Sequence, residues 1–418
     1  MATDFQSYLN ALNYPFIKLC RLRFLNPDGS TAFVLDNDPN NKRSGAFIAD
    51  GSIKVNLQNG QRRTVTITLS NVDGAYDYDV NHLWFGQEIA LDEGLILPDK
   101  TEFYVQQGIF VIGTPTEQFY PNNRIITYEL VDKWANLDGT LYGNLEGAYE
   151  VPVGTNLFTP ISALLNEDRG NGYPVDSIEP TYTSYYNSKT QELPDGTTAS
   201  MVNTPYTLRI DGEDGSIADI VLGLTGMVNA WVGYDSTGSL RVDPSQDDIL
   251  DTDKPLAWRF KVSDVTFLGA AYTIKNTEVY NDYIIVGEQM DDNTQPHGRA
   301  YNTDPISSTN IATIGRKTIR ENAAGFATTT QCRDLAVWKL KQSSALQKAV
   351  SISCGQIFHL NENEIVEIVR TDKPGEPVER HLIMGFTRPL TGTEPMTIDA
   401  VSVNDLINSY VVEPPDSE

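Results

Sequence analysis

Alternation of hydrophobic and polar residues predicts β-strands over the first third of the chain. The clearest case is "SIKVNLQNGQRRTVTITLS", in which Val65, Ile67 and Leu69 alternate with threonines after a turn at Asn59-Gly60. The same period recurs in "FIKLCRLRFL", "TAFVLD", "EFYVQQGIFVIG" and "NRIITYELVD". Residues from about 15 to 135 are therefore predicted to form one antiparallel β-domain that is closed or nearly closed.

A helical period replaces this alternation in the middle of the chain. Apolar residues recur on one stripe in "NLFTPISALLNE" (156–167) and in "SIADIVLGLTGMVN" (216–229), which predicts two helices around a long polar insertion at 168–205. "AWVGYDSTGSLRVDP" predicts a strand, a turn and a returning strand. Further helices are predicted at the N-terminus, where Thr3 and Gln6 have capping-box spacing, and near 331–350.

Strand patterns return from about residue 255, and "YIIV" (283–286), followed by a loop rich in turn residues, is predicted as a barrel strand. The predicted fold class is mainly β with a few helices, in which two antiparallel β-barrels flank a mixed α/β middle region. The predicted boundaries are 1–140 for the first β-barrel domain with its N-terminal helix, 141–254 for the middle domain, 255–410 for the second β-barrel domain and 411–418 for a flexible tail.

An internal echo links the two predicted barrels. "VIGTPTE" (111–117) and "IMGFTRP" (383–389) both have glycine at the third position, and each precedes an alternating strand, "IITYELV" from Ile125 and "TIDAVSV" from Thr397. Both pairs of segments are 272 residues apart. Identity between the copies is low, so two interpretations fit: a duplicated β-barrel, or a coincidence.

Charge excludes one class of function. The 418 residues carry a net charge of −25, which argues against a protein that binds nucleic acid along a basic face. It fits an ordinary solvated acidic surface, or a wall that nucleic acid passes without binding. Three cysteines without paired spacing argue for a reducing assembly compartment. The N-terminus lacks the features of a signal peptide, and no apolar run approaches the ~20 residues of a membrane span.

No motif predicts catalysis or metal binding. His359 lies five residues from Cys354, but no second pair completes the spacing of a zinc site, and the other histidines, His82, His297 and His381, are scattered. "DNDPNN" (36–41) begins like a calcium loop, yet Asn41 and Phe47 stand where such a loop needs Gly and Glu, and "DPSQDDILDTD" fails in the same way. Phosphate-loop, dinucleotide and nucleophile-elbow motifs are missing. We therefore predict no catalytic residue, no cofactor and no metal.

Three tyrosines in the polar insertion have two interpretations. Tyr182, Tyr185 and Tyr186 in "TYTSYYN" could stack on a sugar, or they could pack on their own domain or on a neighbour. We favour packing. With 56 acidic residues in the chain, sequence alone cannot place a glycosidase pair of carboxylates at the required separation.

Several separated segments form an ordered pattern of strands and turns over about 15–405. They are "LSNVDGAYDYDVNHLWFGQEIALDEG" (69–94), "WVGYDSTGSLRVDP" (231–244), "YNDYIIVGE" with "RAYNTDPIS" and "IGRKTI", and "LNENEIVEIV" (360–369). In this order they resemble the baseplate-hub proteins of bacteriophage tails and of related contractile injection machines. The last segment departs from the family pattern, because Asn361, Glu362 and Asn363 stand in place of its Pro and Gly.

The resemblance implies a tube-protein-like fold for both β-barrels and a structural function in a virion tail tip or baseplate. It also implies a tail tube that is a ring of six, and three chains with two similar barrels each would match that ring, so we predict a homotrimeric ring that adapts the sixfold tube to a threefold tip. The implied partners are the distal tail or tube ring, the tape-measure protein and a tip, spike or receptor-binding protein. DNA would pass through the lumen without specific binding, so we expect a neutral to acidic wall. Assembly would occur in the cytoplasm of the bacterial host, and no lytic activity is expected, because the chain ends after its last strand.

Two other functions stay open at this point. A secreted or surface β-rich carbohydrate-binding protein or glycosidase fits the composition, although neither a secretion signal nor an identifiable acid pair supports it. A host-binding tail adhesin would need exposed loops at the tip, and the insertion at 168–205 could supply one.

Overall fold

The structure, a computed structural model, is mainly β, as predicted from the sequence. It describes residues 2–37, 48–72, 74, 87–121, 123–168, 170, 172–182, 184–192, 197–244, 254–274, 279–289, 294–323, 326, 328–344, 348–403, 407 and 409–413. His82, both calcium-like segments beyond their first residues, and most of the first turn in the family-like pattern lie outside these ranges.

An N-terminal β unit begins with helix α1 (Ala2–Ala11). Its strands are β1 (Lys18–Leu25), β2 (Thr31–Asp36), β3 (Ile48–Asn56), β4 (Arg63–Ser70), β5 (Glu88–Ile96), β6 (Glu102–Tyr120) and β7 (Asn123–Asp132). They pair antiparallel in the order β3-β4-β7-β6-β5-β1-β2. The predicted hairpin is confirmed, since β3 pairs with β4 and the alternating Val65, Ile67 and Leu69 are buried.

A middle unit of short strands follows, with helices α2 (Phe158–Leu165) and α3 (Ile217–Gly226). Its strands are β8 (Tyr149–Val151), β9 (Thr181–Tyr182), β10 (Thr190–Glu192), β11 (Thr198–Ser200), β12 (Leu208–Ile210), β13 (Ala230–Tyr234) and β14 (Leu240–Pro244). Both predicted helices and the hairpin of β13 with β14 are confirmed. The polar insertion packs into this unit, because its Tyr186 and Val202 are buried in the core around α2 and α3.

The last part of the chain holds two further units. Its elements are β15 (Leu256–Lys261), β16 (Phe267–Ile274), β17 (Asp282–Val286), β18 (His297–Asn302), α4 (Ile311–Ile314), β19 (Thr318–Asn322), α5 (Thr329–Ser344), β20 (Lys348–Cys354), β21 (Ile365–Val369), β22 (Val378–Pro389), β23 (Met396–Ser402) and β24 (Tyr410–Val412). A C-terminal β unit has the order β15-β21-β22-β23-β20-β16. The other strands form the sheet β19-β17-β18-β24, whose core includes residues of α5.

Three predictions from the sequence are wrong in this part. The strand at 283–286 pairs with β18 and β19 in the separate sheet rather than in a barrel. The helix predicted near 331–350 ends at Ser344. Its last residues begin β20, because Val350 and Ile352 have the two-residue spacing of a strand and are buried between β16 and β23. The predicted tail starts too early, since Val411 and Val412 pair with β18.

The two β units are joined edge to edge. The first half of β22 pairs with β21, and its second half pairs with β3, from Gly385↔Asn56 to Pro389↔Ser52. The result is one 13-stranded sheet, whose main path runs from β16 to β2. A single hydrophobic core contains buried residues of both units, among them Phe24, Ile67, Ile352 and Phe386. The two units therefore fold around a common core, which local alternation alone does not predict.

Candidate functional site, the junction of the two β units

The two β units repeat one strand order. In chain order, β1, β3, β4, β5, β6 and β7 correspond to β15, β16, β20, β21, β22 and β23. If the six strands of each unit are counted in chain order, their order across the sheet is the same in both units: first, fourth, fifth, sixth, third, second. One orientation differs, because β1 is antiparallel to β5 whereas β15 is parallel to β21.

Two β-bulges recur at matching places in the two units, whereas the bulge between Leu91 and Asp92 in the β5–β6 ladder has no counterpart in β21–β22. The β6–β7 ladder shifts register between residues 112 and 114, and the β22–β23 ladder shifts between 383 and 385. The shift between 48 and 50 in β3–β4 is matched by the shift between 267 and 269 in β16–β20. Matching the first bulges places residue 112 on 383, a separation of 271 (383 minus 112), one residue shorter than the sequence echo indicates. Because bulges re-aim a strand at a fixed point, their coincidence defines which residues of the two units are equivalent.

A buried salt bridge lies across the junction. Arg388 in β22 and Glu93 in β5 are both fully buried, and the Nε of Arg388 donates to Glu93 at 2.7 Å. The Nζ of Lys18 lies 3.0 Å from the other carboxylate oxygen. Burial alone would raise the pKa of Glu93, but the two cations outweigh burial and lower it. Since β5 and β22 belong to different units, this ion pair fixes one unit against the other.

Arg63, in β4 of the N-terminal unit, forms a second buried connection. Its Nη1 donates to the carbonyl of Gln107 at 2.9 Å, and its Nη2 pairs with Glu362 of the C-terminal unit at 2.5 Å. Asp132 accepts the backbone N–H groups of Arg62 and Arg63, both at 2.8 Å, and burial raises its pKa to about 6. The sequence indicates Glu362 only as a departure from the family pattern. The ion pair itself is not evident from the sequence, because Arg63 lies 299 residues away from Glu362 in the chain.

Helix α1 packs across the same junction. The hydroxyl of Tyr8 accepts the backbone N–H of Phe358 at 2.9 Å and lies 3.0 Å from Nδ1 of His359. Its ring stacks on Phe103 of β6 at a centroid distance of 4.8 Å. Burial lowers the pKa of His359. The helix therefore contacts both β units through one tyrosine.

A polar cleft of about 760 Å³ opens beside these contacts. Its walls include Arg62, Arg241, Asp243, Lys254 and Glu364. Arg241 already pairs with Asp243 at 2.8 Å. Burial lowers the pKa of Lys254 to about 8 and raises the pKa of Glu364. Because both signs of charge line the cleft, it does not present a field of one sign to a ligand.

The histidines and the cysteine considered above as metal ligands lie on different elements of the structure. His359 contacts α1, Cys354 is buried in β20, His381 is buried in β22 and His297 begins β18. In the part of the chain that the structure describes, no group of three or more His, Cys, Asp or Glu side chains is placed to hold a metal ion. The described helices include none that is long and apolar enough to cross a membrane.

The packing interpretation of the tyrosines is confirmed. Tyr182 stacks on Phe158 of α2 at a centroid distance of 4.1 Å. Tyr186 is fully buried, and Tyr185 meets it edge to face at 5.3 Å. These rings stabilise the middle unit from inside rather than forming an exposed platform.

The fold is that of phage tail proteins and of VgrG-containing complexes. No family model matches the chain, and no curated protein matches it by sequence. The structure of the 43 kDa tail protein of prophage MuSo2 from Shewanella oneidensis is similar with a TM-score of 0.57 and 12% identity, over 94% of this chain and all of that one. A tail protein from Neisseria meningitidis MC58 gives a TM-score of 0.56 at 10% identity, over 93% and 98%.

The similarity extends to a secretion-system structure. A Francisella PdpA–VgrG complex gives a TM-score of 0.52 at 10% identity, over 98% of this chain and 57% of that one. The resemblance to phage tail proteins that the sequence indicates is therefore confirmed at the level of fold.

Proposed function

We propose that this protein is a structural hub of a phage tail tip or baseplate. The observation that carries the proposal is the repeat: one chain holds two β units with the same strand order and the same two bulges, joined edge to edge. The fold similarity to tail proteins over almost their whole length supports a place in the tail.

The repeat gives the hub its geometry. Three chains with two similar units each would present six units to a sixfold tail tube and threefold symmetry to a tip. Closed cyclic symmetry also buries strand edges that would otherwise pair without limit. The partners of such a homotrimer are the distal tail or tube ring, the tape-measure protein and a tip or receptor-binding protein.

The ring encloses a passage for DNA and the tape-measure protein. With a net charge of −25, the chain can supply like-charge repulsion along a neutral to acidic wall, within the ~8 Å over which charges act at physiological salt. A basic wall in the assembled ring would contradict this function, because it would retain the DNA.

We assign no enzymatic role to the protein. The test is incubation of the purified chain with peptidoglycan and host polysaccharide, together with a glycan-binding screen. We expect neither turnover nor binding. Turnover that is lost when one carboxylate is changed, or a monomer that binds polysaccharide, would favour the carbohydrate-active alternative.

The decisive experiment for the hub is the copy number in the ring. We expect native mass spectrometry of the purified protein to show three chains. A ring of six chains would contradict the proposal, because two β units per chain would then give twelve.

A further inference from the structure

The equivalence of the two units points to a pair of strand edges that have no partner among the strands the structure describes. Within the chain, the second half of β22 pairs with β3. Their equivalents are the second half of β6 and strand β16. β5 pairs with β6 only as far as Val111, so among described strands residues 112–120 have β7 alone as a partner. Of the strands described, only β20 pairs with β16.

We propose that the second half of β6 pairs antiparallel with β16 of the next copy, so that the junction between chains repeats the β22–β3 junction within the chain. The occupant of each edge is therefore a second copy of this protein. This inference rests on the proposed ring and specifies the contact that closes it.

The match of the bulges gives the register of this contact. Residue 112 corresponds to 383, and residue 48 corresponds to 267. In the internal junction Arg388 lies opposite Ile53. When these two correspondences are applied to the pair Arg388–Ile53, Glu117 lies opposite Tyr272 of the next copy. Thr116 therefore lies opposite Thr273 of that copy.

The composition of the two edges fits pairing. Large hydrophobic side chains are exposed on both, Phe119 and Tyr120 on β6 at 65% and 55%, and Leu268 and Tyr272 on β16 at 58% and 37%. Pro115 corresponds to Phe386, whose N–H in the internal junction faces β3, because the flanking bonds run from Leu57 N to Met384 O and from Leu390 N to Gly51 O. Since proline has no N–H, the proposed ladder has one hydrogen bond fewer than the internal junction at this position.

Charge supplies an independent sign of the same contact. The internal junction is closed by Arg388 and Glu93. Glu117 corresponds to Arg388. The pairs Glu88↔Val111 and Ile365↔Leu382 align β5 with β21 and place Arg370 at the position of Glu93. The ion pair is thus repeated with its charges exchanged.

The contacts that Glu117 and Arg370 make within one chain agree with this pairing. Glu117 pairs with Arg124 at 2.6 Å, and both side chains are about a quarter exposed (27% and 28%). Arg370 pairs with Asp372 at 2.7 Å and with Glu379 at 3.3 Å. The guanidinium of Arg370 lies 5.7 Å from the ring of Tyr272, the residue expected opposite Glu117. Glu117 of one copy would therefore meet Arg370 of the next.

A charge-exchange experiment tests the ion pair. Glu117→Arg and Arg370→Glu should each weaken the trimer at least about tenfold, because each places like charges together at the contact. The double variant should restore assembly to within about threefold of the original protein. Analytical ultracentrifugation measures the dissociation constants, and circular dichroism verifies that each variant folds. The control is Arg209→Glu, an exposed charge on the middle unit that should change nothing. Failure of the double variant to recover would overturn the proposed ion pair.

A disulfide experiment tests the register. Thr116→Cys mixed with Thr273→Cys should give a covalent dimer on oxidation, since a pair that lies between hydrogen-bonded pairs has the Cα separation a disulfide needs. Neither variant alone should do so, because the three natural cysteines are buried. The control for geometry is Lys54→Cys with Thr387→Cys, the equivalent pair within one chain.

The outcomes separate this contact from the hub itself. If the protein is a trimer and the internal control closes, but Thr116→Cys and Thr273→Cys form no disulfide with each other, the pairing of β6 with β16 is overturned and the hub stays intact. A protein without self-association up to the millimolar range would overturn both.

Discussion

The N-terminal and C-terminal β units share a strand order and two bulges, yet they use the same edge differently. In the C-terminal unit the second half of β22 is covered by β3, and Arg388 and Leu390 are fully buried. At the equivalent positions of the N-terminal unit, Glu117 is partly exposed and Phe119 is 65% exposed. Burial at these positions therefore depends on whether a neighbouring strand pairs with the edge, and not on the conformation of the strand itself.

The largest expected difference between the two edges comes from removing the charge on the second half of β22, the edge that β3 covers. Arg388→Leu should lower the free energy of unfolding by about 3–5 kcal/mol, because Glu93 would stay buried with only Lys18 as its cation. The equivalent change, Glu117→Leu, should cost at most about 1 kcal/mol in the monomer, because its partner Arg124 is partly exposed. Denaturant unfolding measures both. Equal losses would mean that the two edges do not differ as described.

The next change compares apolar side chains at equivalent positions. Leu390→Ala should cost about 2–5 kcal/mol of unfolding free energy, because it leaves a cavity in the shared core. Phe119→Ala should stay within about 0.5 kcal/mol in the monomer, because in a single chain that ring is mostly in solvent. The same denaturant titrations decide the matter, and a large loss at Phe119 would show that the edge of β6 is covered in the monomer.

Helix α1 contacts both β units, so a single substitution in this helix tests how strongly it holds them together. Tyr8→Phe should lower the unfolding free energy by about 1–3 kcal/mol, because the backbone N–H of Phe358 loses its acceptor in a buried place. Hydrogen exchange should show faster opening at Phe358. Tyr14→Phe serves as the control, because Tyr14 is 71% exposed; a loss of equal size there would rule out a specific role for Tyr8.

The smallest expected effect is a pH dependence at the same place. The pKa of His359 is lowered by burial, so below its usual value of 6.5 the unfolded chain binds more protons than the folded one. Stability from this group should therefore fall as the pH drops through that value. Asp132 acts in the opposite sense, because its raised pKa of about 6 favours the folded state on acidification. Comparison with His359→Gln over the same pH range isolates the histidine, and an unchanged slope in that variant would contradict its role.

Local elements of the fold could be predicted because their causes are local. Helix α3 follows from an apolar stripe and the capping box of Ser216 and Asp219. The hairpin of β13 and β14 follows from the turn between Asp235 and Gly238. By contrast, β17 has the composition of any strand, and its partner strands are determined by tertiary structure. The parallel pairing of β15 with β21 leaves no signal in either strand alone.

The junction was beyond sequence reasoning for the same reason. Arg388 and Glu93 are 295 residues apart, and an alternating strand gives no indication of which charge is buried in a partner unit. The echo between the units was visible, but the glycines that it aligned are not equivalent: the bulges put Gly113 on Met384 and Gly385 on Thr114. Register is a property of paired strands, and it becomes measurable only when both ladders are known.

An image of the assembled tail tip that resolves individual strands tests the central claim most directly, namely that the two units of one chain occupy equivalent places in a ring. We predict three chains per ring, six β units in the layer that faces the tube, and the second half of β6 continuing into β16 of the neighbouring chain. Six chains per ring, or a tube-facing layer built from only one β unit of each chain, would contradict the claim.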